Sequence, residues 1–356
     1  MRTLIALGGN AMTAPDGRAR PEDQIAAVGR ATAAVADLVA AGVEVVLTHG
    51  NGPQVGNLLV KNELAAHVVP PVPLDWCGAQ TQGTLGFVIV SALEAALAAR
   101  GSAKPVAAVV TRTLVDAHDP GFKHPTKPIG RYLPADQAAA MIAHGQTWED
   151  RGARGWRRVV ASPEPLAVLD AGAVRTLVEA GFVVVACGGG GIPVVREETG
   201  ARAGMEALAA PGVRARGSGA AVGDVGVGVR GGGTVAPGAG VGVRGVEAVI
   251  DKDLSAVLLA RAVGADHLVI ATDVDHMYLH YGRADERALR HVGVAELRGY
   301  LAAGEFGGGS MAPKAEAACR FVEGGGTRAV ITSLSSIREA VLGEAGTVVD
   351  KETDRA

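Results

Sequence analysis

The stretch that decides the fold class is RTLIALGGNA, residues 2–11. Its apolar residues 3–7 predict a short buried strand, which runs directly into Gly8, Gly9 and Asn10. Glycine and asparagine tolerate a positive φ, so the segment can be a simple tight turn. Its bare backbone N–H groups can equally bind an anion. The spacing excludes a P-loop, since no Lys-Ser or Lys-Thr follows, and it excludes the G-x-G-x-x-G dinucleotide fingerprint.

The composition indicates a soluble globular protein of 356 residues, with 48% hydrophobic, 20% charged and only 3% aromatic residues. A net charge of −3 argues against a sequence-independent nucleic-acid binder. Cys77, Cys187 and Cys319 are far apart and form no CxxC pair, which favours a reducing compartment and no structural zinc. The sequence shows neither a signal peptide nor an uninterrupted apolar membrane span. We therefore expect a cytoplasmic protein without a membrane or nucleic-acid partner.

Apolar runs alternate with amphipathic stretches along the chain. Strands are predicted at residues 3–7, 43–48, 105–113, 182–187, 267–271 and 328–332, and helices at 22–41, from Pro53 onward and at 76–99. Strands that are buried on both faces and linked by helices favour a mostly parallel sheet. The predicted fold is therefore α/β, a three-layer αβα sandwich in a single domain spanning residues 1–356.

Two segments interrupt this alternation. Residues 116–162 carry His, Pro, Lys and Trp with little periodicity, which predicts a small projecting subdomain that serves as a lid. Residues 197–245 consist almost entirely of Gly, Ala, Val and Arg and lack the large side chains needed to offset ordering entropy. We interpret them as a flexible low-complexity insertion whose two ends lie close together. Such insertions cost little free energy, because the entropy of loop closure grows only with the logarithm of loop length.

Glycine-rich turns follow three of the predicted strands. Besides Gly8 and Gly9, the second strand is followed by residues 50–52, Gly-Asn-Gly, and the strand at 182–187 by four glycines, residues 188–191. Ligands of parallel α/β sheets bind outside the carboxyl ends of the strands. Three strands are therefore expected to present bare N–H groups at one edge of the sheet.

Three lysines supply the positive charge that an anionic ligand requires. Lys127 lies between prolines in HPTKPIG, Lys252 between two aspartates in VIDKDLSA, and Lys314 behind a glycine-rich loop in GGGSMAPK. A single lysine is usually a solvated surface charge. Each of these three is fixed at the boundary of a predicted element, which favours a role in a site.

The motifs together resemble the carbamate kinases of the amino acid kinase family. The resemblance rests on ALGGNA, HGNGPQVGNLL, PLDWCGAQTQG, PTKPIG, GWRRVVASPEP, CGGGGIPVV, GVEAVIDKDL and GSMAPKAEAA, which occur in the family's order from residue 1 to about 350. Other branches, such as acetylglutamate kinase, carry a lysine two residues before the first Gly-Gly, where this chain has Ala6. Lys127 matches the lysine of the projecting subdomain that replaces it in carbamate kinases.

The resemblance implies reversible phosphoryl transfer between ATP and carbamate, which gives ADP and carbamoyl phosphate. Carbamate is already an anionic nucleophile, so no general base is needed, and we interpret His49 as structural. Magnesium is expected to accompany ATP through phosphate and water oxygens, without a protein ligand. The family forms homodimers, to which the helix at 76–99 is a plausible contributor.

The resemblance also assigns the site residues. The catalytic group comprises Lys127 and Lys252, which bridge the phosphoryl group, Asp253, which orients the lysines, and Lys314, which binds nucleotide phosphates. The substrate-binding residues are Gly8, Gly9, Asn10, Gly50, Asn51, Gly52, Gly190 and Gly191. The nucleotide-binding residues are Lys252, Asp273, Val274, Tyr278, Met311 and Lys314.

Two alternatives remain open from the sequence. The chain could be another amino acid kinase that acts on a larger carboxylate, although its glycine turns offer few side chains to grip one. It could also be a nucleotide-binding regulatory module without catalysis, for which the loss of at least one of the three lysines is expected.

Overall fold

The computed structural model of the chain describes residues 1–9, 20–197, 242–306 and 310–351. Asn10 and residues 198–241 of the predicted insertion therefore lie outside the described residues. The chain forms two units, of which the first comprises Met1–Val195 and Gly245–Ala356, and the second Arg196–Arg244. Within the second unit, the N–H of Glu197 donates to the carbonyl of Gly242 at 2.8 Å, which brings the two ends of this segment together.

The regular elements of the described residues are nine α-helices and seventeen strands, besides four 3-10 helices of three residues each. The helices are α1 (Pro21–Ala40), α2 (Gly52–Ala65), α3 (Leu74–Ala98), α4 (Ala135–Ala143), α5 (Ala171–Glu179), α6 (Lys252–Ala262), α7 (Val294–Ala302), α8 (Met311–Glu323) and α9 (Ile337–Leu342). The strands are β1 (Arg2–Leu7), β2 (Glu44–His49), β3 (Val106–Ala108), β4 (Arg112–Val115), β5 (Lys127–Leu133), β6 (Trp148–Asp150), β7 (Trp156–Val160), β8 (Pro165–Val168), β9 (Val183–Val185), β10 (Ile192–Arg196), β11 (Val243–Gly245), β12 (His267–Thr272), β13 (Met277–Leu279), β14 (Arg287–Leu289), β15 (His291–Gly293), β16 (Arg328–Ser333) and β17 (Thr347–Asp350).

The main sheet has eight strands in the order β15-β17-β16-β12-β1-β2-β9-β3. β3, β9, β2, β1, β12 and β16 run parallel, while β17 pairs antiparallel with β16 and β15 follows the direction of β17. The prediction of a mostly parallel sheet is confirmed. The carboxyl ends of β1, β2, β9 and β12 consequently lie along one edge.

Helices cover both faces of this sheet. Along β1, Leu4 and Ala6 belong to the apolar cluster that contains residues of α6 and α8, whereas Ile5 and Leu7 belong to the cluster that contains residues of α1 and α3. Successive side chains of a strand point to opposite faces, so this division places one helical layer on each side. The predicted three-layer αβα architecture is confirmed.

Helix α3 is both apolar and central to the packing. Leu85, Ile89, Leu93 and Leu97 recur every four residues and are buried in the cluster shared with α1 and the sheet. By length and composition alone, it is also the one helix among the described residues that could cross a membrane, a criterion that the core helix of a globular protein also meets.

The prediction of one strand over residues 105–113 is wrong. The ladder of β3 on β9 continues only to Val109, whose N–H donates to the carbonyl of Val185 at 2.9 Å. Two residues later, the N–H of Thr111 donates instead to Oε1 of Gln82 at 2.8 Å. The chain thereby leaves the main sheet, and β4 pairs with β8 and β10 in a second sheet.

A small antiparallel sheet lies within the segment predicted to project. Its order is β5-β7-β6, and with α4 it encloses a small apolar core of Leu133, Ala138, Met141 and Trp148. A further cluster joins Val160 of β7 to residues of α2 and α3. Lys127 is the first residue of β5, so this small sheet positions it.

Candidate active site

The glycine turns after β1 and β2 meet at the edge of the sheet. The N–H of Gly50 donates to the carbonyl of Leu7 at 2.8 Å. A Cβ on Gly50 would lie 2.6 Å from the nitrogen of Gly9, closer than real Cβ atoms approach. A Cβ on Gly9 would lie 3.6 Å from the nitrogen of Gly52, so both turns present their amides to the same region. The structure therefore brings together Gly8, Gly9, Gly50 and Gly52, as the sequence predicts.

The N-terminus of α2 completes this region. The helix begins at Gly52, and the side chain of Asn51 does not cap it. That side chain instead donates from Nδ2 to Oγ1 of Thr81 at 2.9 Å. A helix N-terminus without a capping side chain presents free N–H groups and a partial positive charge. Such a terminus favours an anion.

Close packing explains why the four residues after β9 are glycines, which sequence reasoning did not show. Cys187 has a left-handed backbone with φ of 56°, and residues 188–191 then make a tight turn. A Cβ on Gly188 would overlap the ring of His49, and one on Gly189 would overlap the amide of Asn51.

The last two glycines of the run are equally enclosed. A Cβ on Gly190 would lie 2.8 Å from the carbonyl oxygen of Ile250, and one on Gly191 would overlap Oγ1 of Thr113. Packing within the protein thus requires these residues to be glycines, and Gly191 also lines the adjacent cleft.

His49 has no exposed surface with which to act as a base. Its side chain is buried, and Nδ1 lies 3.0 Å from the carbonyl oxygen of Gly50, which assigns the proton to Nδ1. Burial lowers the pKa of His49 to about 4, against the opposing effect of the hydrogen bond to Gly50. The imidazole is therefore neutral near pH 7, in agreement with a structural role.

A buried aspartate joins two of the three predicted lysines. Nζ of Lys252 donates to Oδ1 of Asp253 at 2.5 Å, and Nζ of Lys314 donates to Oδ2 at 3.0 Å. Asp253 is 3% exposed and Lys314 is 8% exposed. Burial alone would raise the pKa of Asp253, but the charges and hydrogen bonds of both lysines outweigh it and hold the pKa below its ordinary value.

The N-terminus of α6 fixes this group in place. The side chain of Asp251 caps the helix, since its Oδ1 accepts hydrogen bonds from the N–H of Asp253 at 2.9 Å and of Leu254 at 3.2 Å. Asp253 therefore stands on the first turn of α6, where the helix dipole also favours a carboxylate.

The third lysine reaches the glycine turns from the small sheet. Lys127 lines a cleft of about 670 Å³ together with Asn51, Gly52, Gly189 and Gly191. Ile250, two residues before Lys252, lines the same cleft. The cleft thus connects the turns after β2 and β9 with the segment that leads into α6.

The residues predicted to bind a nucleotide follow β12 and begin α8. Asp273 is exposed and its Oδ1 accepts a hydrogen bond from Oγ1 of Thr272 at 3.0 Å. Val274 and Tyr278 are half-buried, and Met311 is the first residue of the helix that carries Lys314. Because β12 adjoins β1, Asp273 and Val274 follow a strand whose carboxyl end lies beside the glycine turn after β1.

Sequence reasoning missed several polar residues that shape the site. Thr81 holds the side chain of Asn51, and Gln82 binds both the N–H and the carbonyl of Thr111. Both are buried polar residues in the run QTQGT, residues 80–84, which directly precedes the apolar residues 85–90 of α3, and this contrast is the signal that could have revealed them. Arg157 lines the cleft beside Lys127, and no pattern in the sequence distinguishes it from the neighbouring arginine.

The amino acid kinase family model matches residues 1–211 and 233–333, so the match omits residues 212–232 of the glycine-rich segment. The carbamate kinase of Thermococcus kodakarensis is 42% identical over 99% of each chain. Carbamate kinase 2 of Enterococcus faecalis is 41% identical over 98% of each chain. The solved structure of carbamate kinase from Giardia lamblia bound to AMP-PNP has 34% identity and a TM-score of 0.82, covering 99% of this chain and 98% of that one. The agreement of these matches with the site geometry shows that the chain belongs to the amino acid kinase family.

Proposed function

We propose that the protein is a carbamate kinase, which transfers a phosphoryl group reversibly between ATP and carbamate. The observation that carries this proposal is the Lys252–Asp253–Lys314 group, buried at the same sheet edge as the glycine turns. Its two cations can meet a phosphoryl group, while the cleft beside it receives a small anion. The names of the relatives and their identity over nearly the whole chain support the same reaction.

The carbamate side of the site needs hydrogen-bond donors and no base. Carbamate already carries an anionic oxygen, and His49 is neutral and buried. We assign carbamate to the amides of Gly8, Gly9, Gly50 and Gly52, beside the N-terminus of α2. Asn51, Gly190 and Gly191 shape this wall through their close packing. Asn10 belongs to this set by its resemblance to the family.

Phosphoryl transfer requires two anions that repel each other to be aligned and their charge to be stabilised. We assign Lys127 and Lys252 to the transferred phosphoryl group and Lys314 to the nucleotide phosphates. Asp253 holds Lys252 and Lys314 in place without transferring a proton. Preorganised donors of this kind are worth about 3 kcal/mol each to the transition state when removed singly.

The nucleotide is assigned to the part of the edge that contains Asp273, Val274, Tyr278 and Met311. Among the described residues, no group of three or more His, Cys, Asp or Glu is placed to hold a metal ion. We propose that Mg²⁺ accompanies the nucleotide through phosphate and water oxygens, where it would neutralise charge on the phosphates.

We further propose that the protein works as a cytoplasmic homodimer. All three cysteines are free and buried, which suits a reducing compartment. Trp76 and Phe87 of α3 are 63% and 70% exposed, and large exposed apolar side chains are typical of contact surfaces. Analytical ultracentrifugation of the purified protein tests the dimer, and a single species of monomer mass would contradict it.

A kinase acting on a larger carboxylate is the second candidate, because a cleft of about 670 Å³ exceeds what carbamate fills. A coupled assay separates the two candidates by comparing ATP formation from ADP and carbamoyl phosphate with ADP formation from ATP and acetylglutamate. We expect turnover only in the first reaction. Turnover only in the second would replace the proposal, and turnover in neither would favour a regulatory module.

A further inference from the structure

Three arginines of the small sheet lie near the cleft, and they differ in how their charge is neutralised. Nε of Arg131 donates to Oε2 of Glu63 at 2.8 Å, and Nη2 of Arg158 donates to Oε2 of Glu247 at 2.5 Å. Arg157 forms no ion pair with any residue of the described ranges. Of these three guanidinium groups, that of Arg157 is the one without a carboxylate partner in the part of the chain that the structure describes.

The guanidinium of Arg157 packs against the side chain of Tyr132. Its Cζ lies 4.9 Å from the centroid of the Tyr132 ring, and its Nη1 lies 3.4 Å from the hydroxyl oxygen of Tyr132. Its Nε is buried and has no hydrogen-bond partner among the described residues. Glu149 is opposite Arg157 in the strand register, but its carboxylate pairs with Arg151 at 2.5 Å.

Arg157 and Lys127 line the same cleft. The charged side chains that line it are Lys127, Arg131 and Arg157, and the described lining includes no carboxylate. Since Arg131 is paired with Glu63, two uncompensated cations face one space. The phosphate of carbamoyl phosphate carries close to two negative charges near neutral pH, so a guanidinium in this cleft can add to the positive charge that Lys127 and Lys252 supply. The planar fork of a guanidinium also matches the oxygens of a phosphate in two parallel hydrogen bonds.

We propose that Arg157 is a substrate-binding residue that contacts the phosphate group of carbamoyl phosphate in the cleft beside Lys127. This inference rests on the proposed function. It adds to the backbone amides and the three lysines a fourth cation, held in position by its stacking on Tyr132.

The matched control is Arg154, which also stacks on Tyr132, at 5.7 Å from the ring centroid, but does not line the cleft. We expect Arg157→Gln to raise KM for carbamoyl phosphate about tenfold or more, with a smaller change in kcat and with KM for ADP within about twofold, because the lost contact is to one anion. Arg157→Lys should give an intermediate KM, since it keeps the charge and loses the fork. Arg154→Gln should keep both KM values.

The inference is overturned if Arg157→Gln keeps its KM for carbamoyl phosphate, or if Arg154→Gln raises it equally, which would trace the effect to the packing of Tyr132. A titration with inorganic phosphate, followed by tryptophan fluorescence, makes the test independent of turnover. Trp148 and Trp156 lie in the same small sheet as Arg157 and report on it. We expect the midpoint to move to at least about tenfold higher phosphate in Arg157→Gln, consistent with the loss of one charge-assisted contact.

An unchanged midpoint, or no response of the unaltered protein, would contradict the inference even if the enzyme is active. Conversely, a shifted midpoint in a protein that makes no ATP from carbamoyl phosphate would support the anion contact and refute the proposed function. The two failures are therefore distinguishable.

Discussion

Replacing Asp253 by Asn is expected to destabilise the free protein and to abolish most of its activity. The carboxylate receives hydrogen bonds from Lys252 at 2.5 Å and from Lys314 at 3.0 Å. Asn keeps the shape of the side chain but removes its charge, and its NH₂ group would face one of the two ammonium groups. Two lysines of like charge then remain at a largely buried position without their counter-ion.

The size of the effect follows from this burial. Hydrogen bonds to charged groups contribute about 1.5–3 kcal/mol each, and removal of one partner from a buried ion pair costs about 3–5 kcal/mol. With Asp253 only 3% exposed, we expect the free energy of unfolding to fall by about 4 kcal/mol. For a chain of this size, Tm should then fall by about 5 °C.

The same aspartate predicts a pH dependence. Its pKa is lowered in the folded protein, so its stabilisation is fully present above the pKa of the unfolded chain. That stabilisation is lost as the pH falls through the lowered pKa of the folded state. The difference in stability between the unaltered protein and Asp253→Asn should therefore shrink in acid.

Thermal unfolding with and without phosphate, together with the coupled ATP assay, measures these effects. Phosphate should raise the Tm of Asp253→Asn more than that of the unaltered protein, because the two free lysines attract an anion. Turnover should fall about 100-fold or more. Asp251→Asn is the matched control, since Asn caps helices about as well as Asp and the lysine contacts remain. Equal Tm values for the two variants, or near-normal turnover of Asp253→Asn, would refute the reasoning.

Three further predictions concern Lys127, His49 and the glycine run. Lys127→Ala should lower kcat about 100-fold with little change in Tm, because Lys127 has no ion pair among the described residues; near-normal ATP synthesis would show that it does not contact the phosphoryl group. His49 has a pKa near 4 in the folded protein against about 6.5 in the unfolded chain, so it destabilises the folded state most below pH 4 and not at all above pH 6.5. Urea unfolding at pH 5 and 7 should therefore show that His49→Gln loses less stability on acidification than the unaltered protein, and equal losses would contradict the shift. Gly188→Ala should destabilise the protein because its Cβ overlaps the ring of His49, whereas Gly29→Ala on α1 meets nothing within 4 Å and should stabilise it by about 0.5–1 kcal/mol; Tm values that move alike would contradict this contrast.

The sequence predicted that the glycine turns meet at one edge of the sheet, because the signals for this arrangement are local. Strand β1 is a continuous apolar run, and the glycines that follow β1, β2 and β9 are contiguous in the chain. A parallel sheet then brings those turns to one edge, whatever the details of its packing. The structure likewise places Asp253 between Lys252 and Lys314, as expected for a residue that orients both lysines.

The sequence could not show what depends on distant contacts. The strand expected at 105–113 divides because Gln82, far away in the chain, takes the N–H of Thr111. Short edge strands such as β13 and β15 have three residues each, too few to show periodicity. The bare glycines after β9 suggested a ligand, but their lack of side chains is also required by His49, Asn51 and other residues packed against them.

The same limit applies to Arg157. In the sequence it is one of two adjacent arginines in GWRRVV, and nothing local separates them. In the folded chain, Arg158 pairs with Glu247, whereas Arg157 lines the cleft and has no carboxylate partner among the described residues. The role of a charged residue thus depends on its partner, which the sequence alone does not identify.

The central claim is direct phosphoryl transfer between carbamoyl phosphate and ADP at one edge of the sheet. Phosphorus NMR of the purified protein with ADP, Mg²⁺ and carbamoyl phosphate tests it most directly, because it follows the phosphorus of donor and acceptor in one sample. We predict that the carbamoyl phosphate signal declines as the γ-phosphate signal of ATP rises in equal amount, and that Lys127→Ala slows both changes alike. Decay of carbamoyl phosphate to inorganic phosphate without formation of ATP would contradict the account.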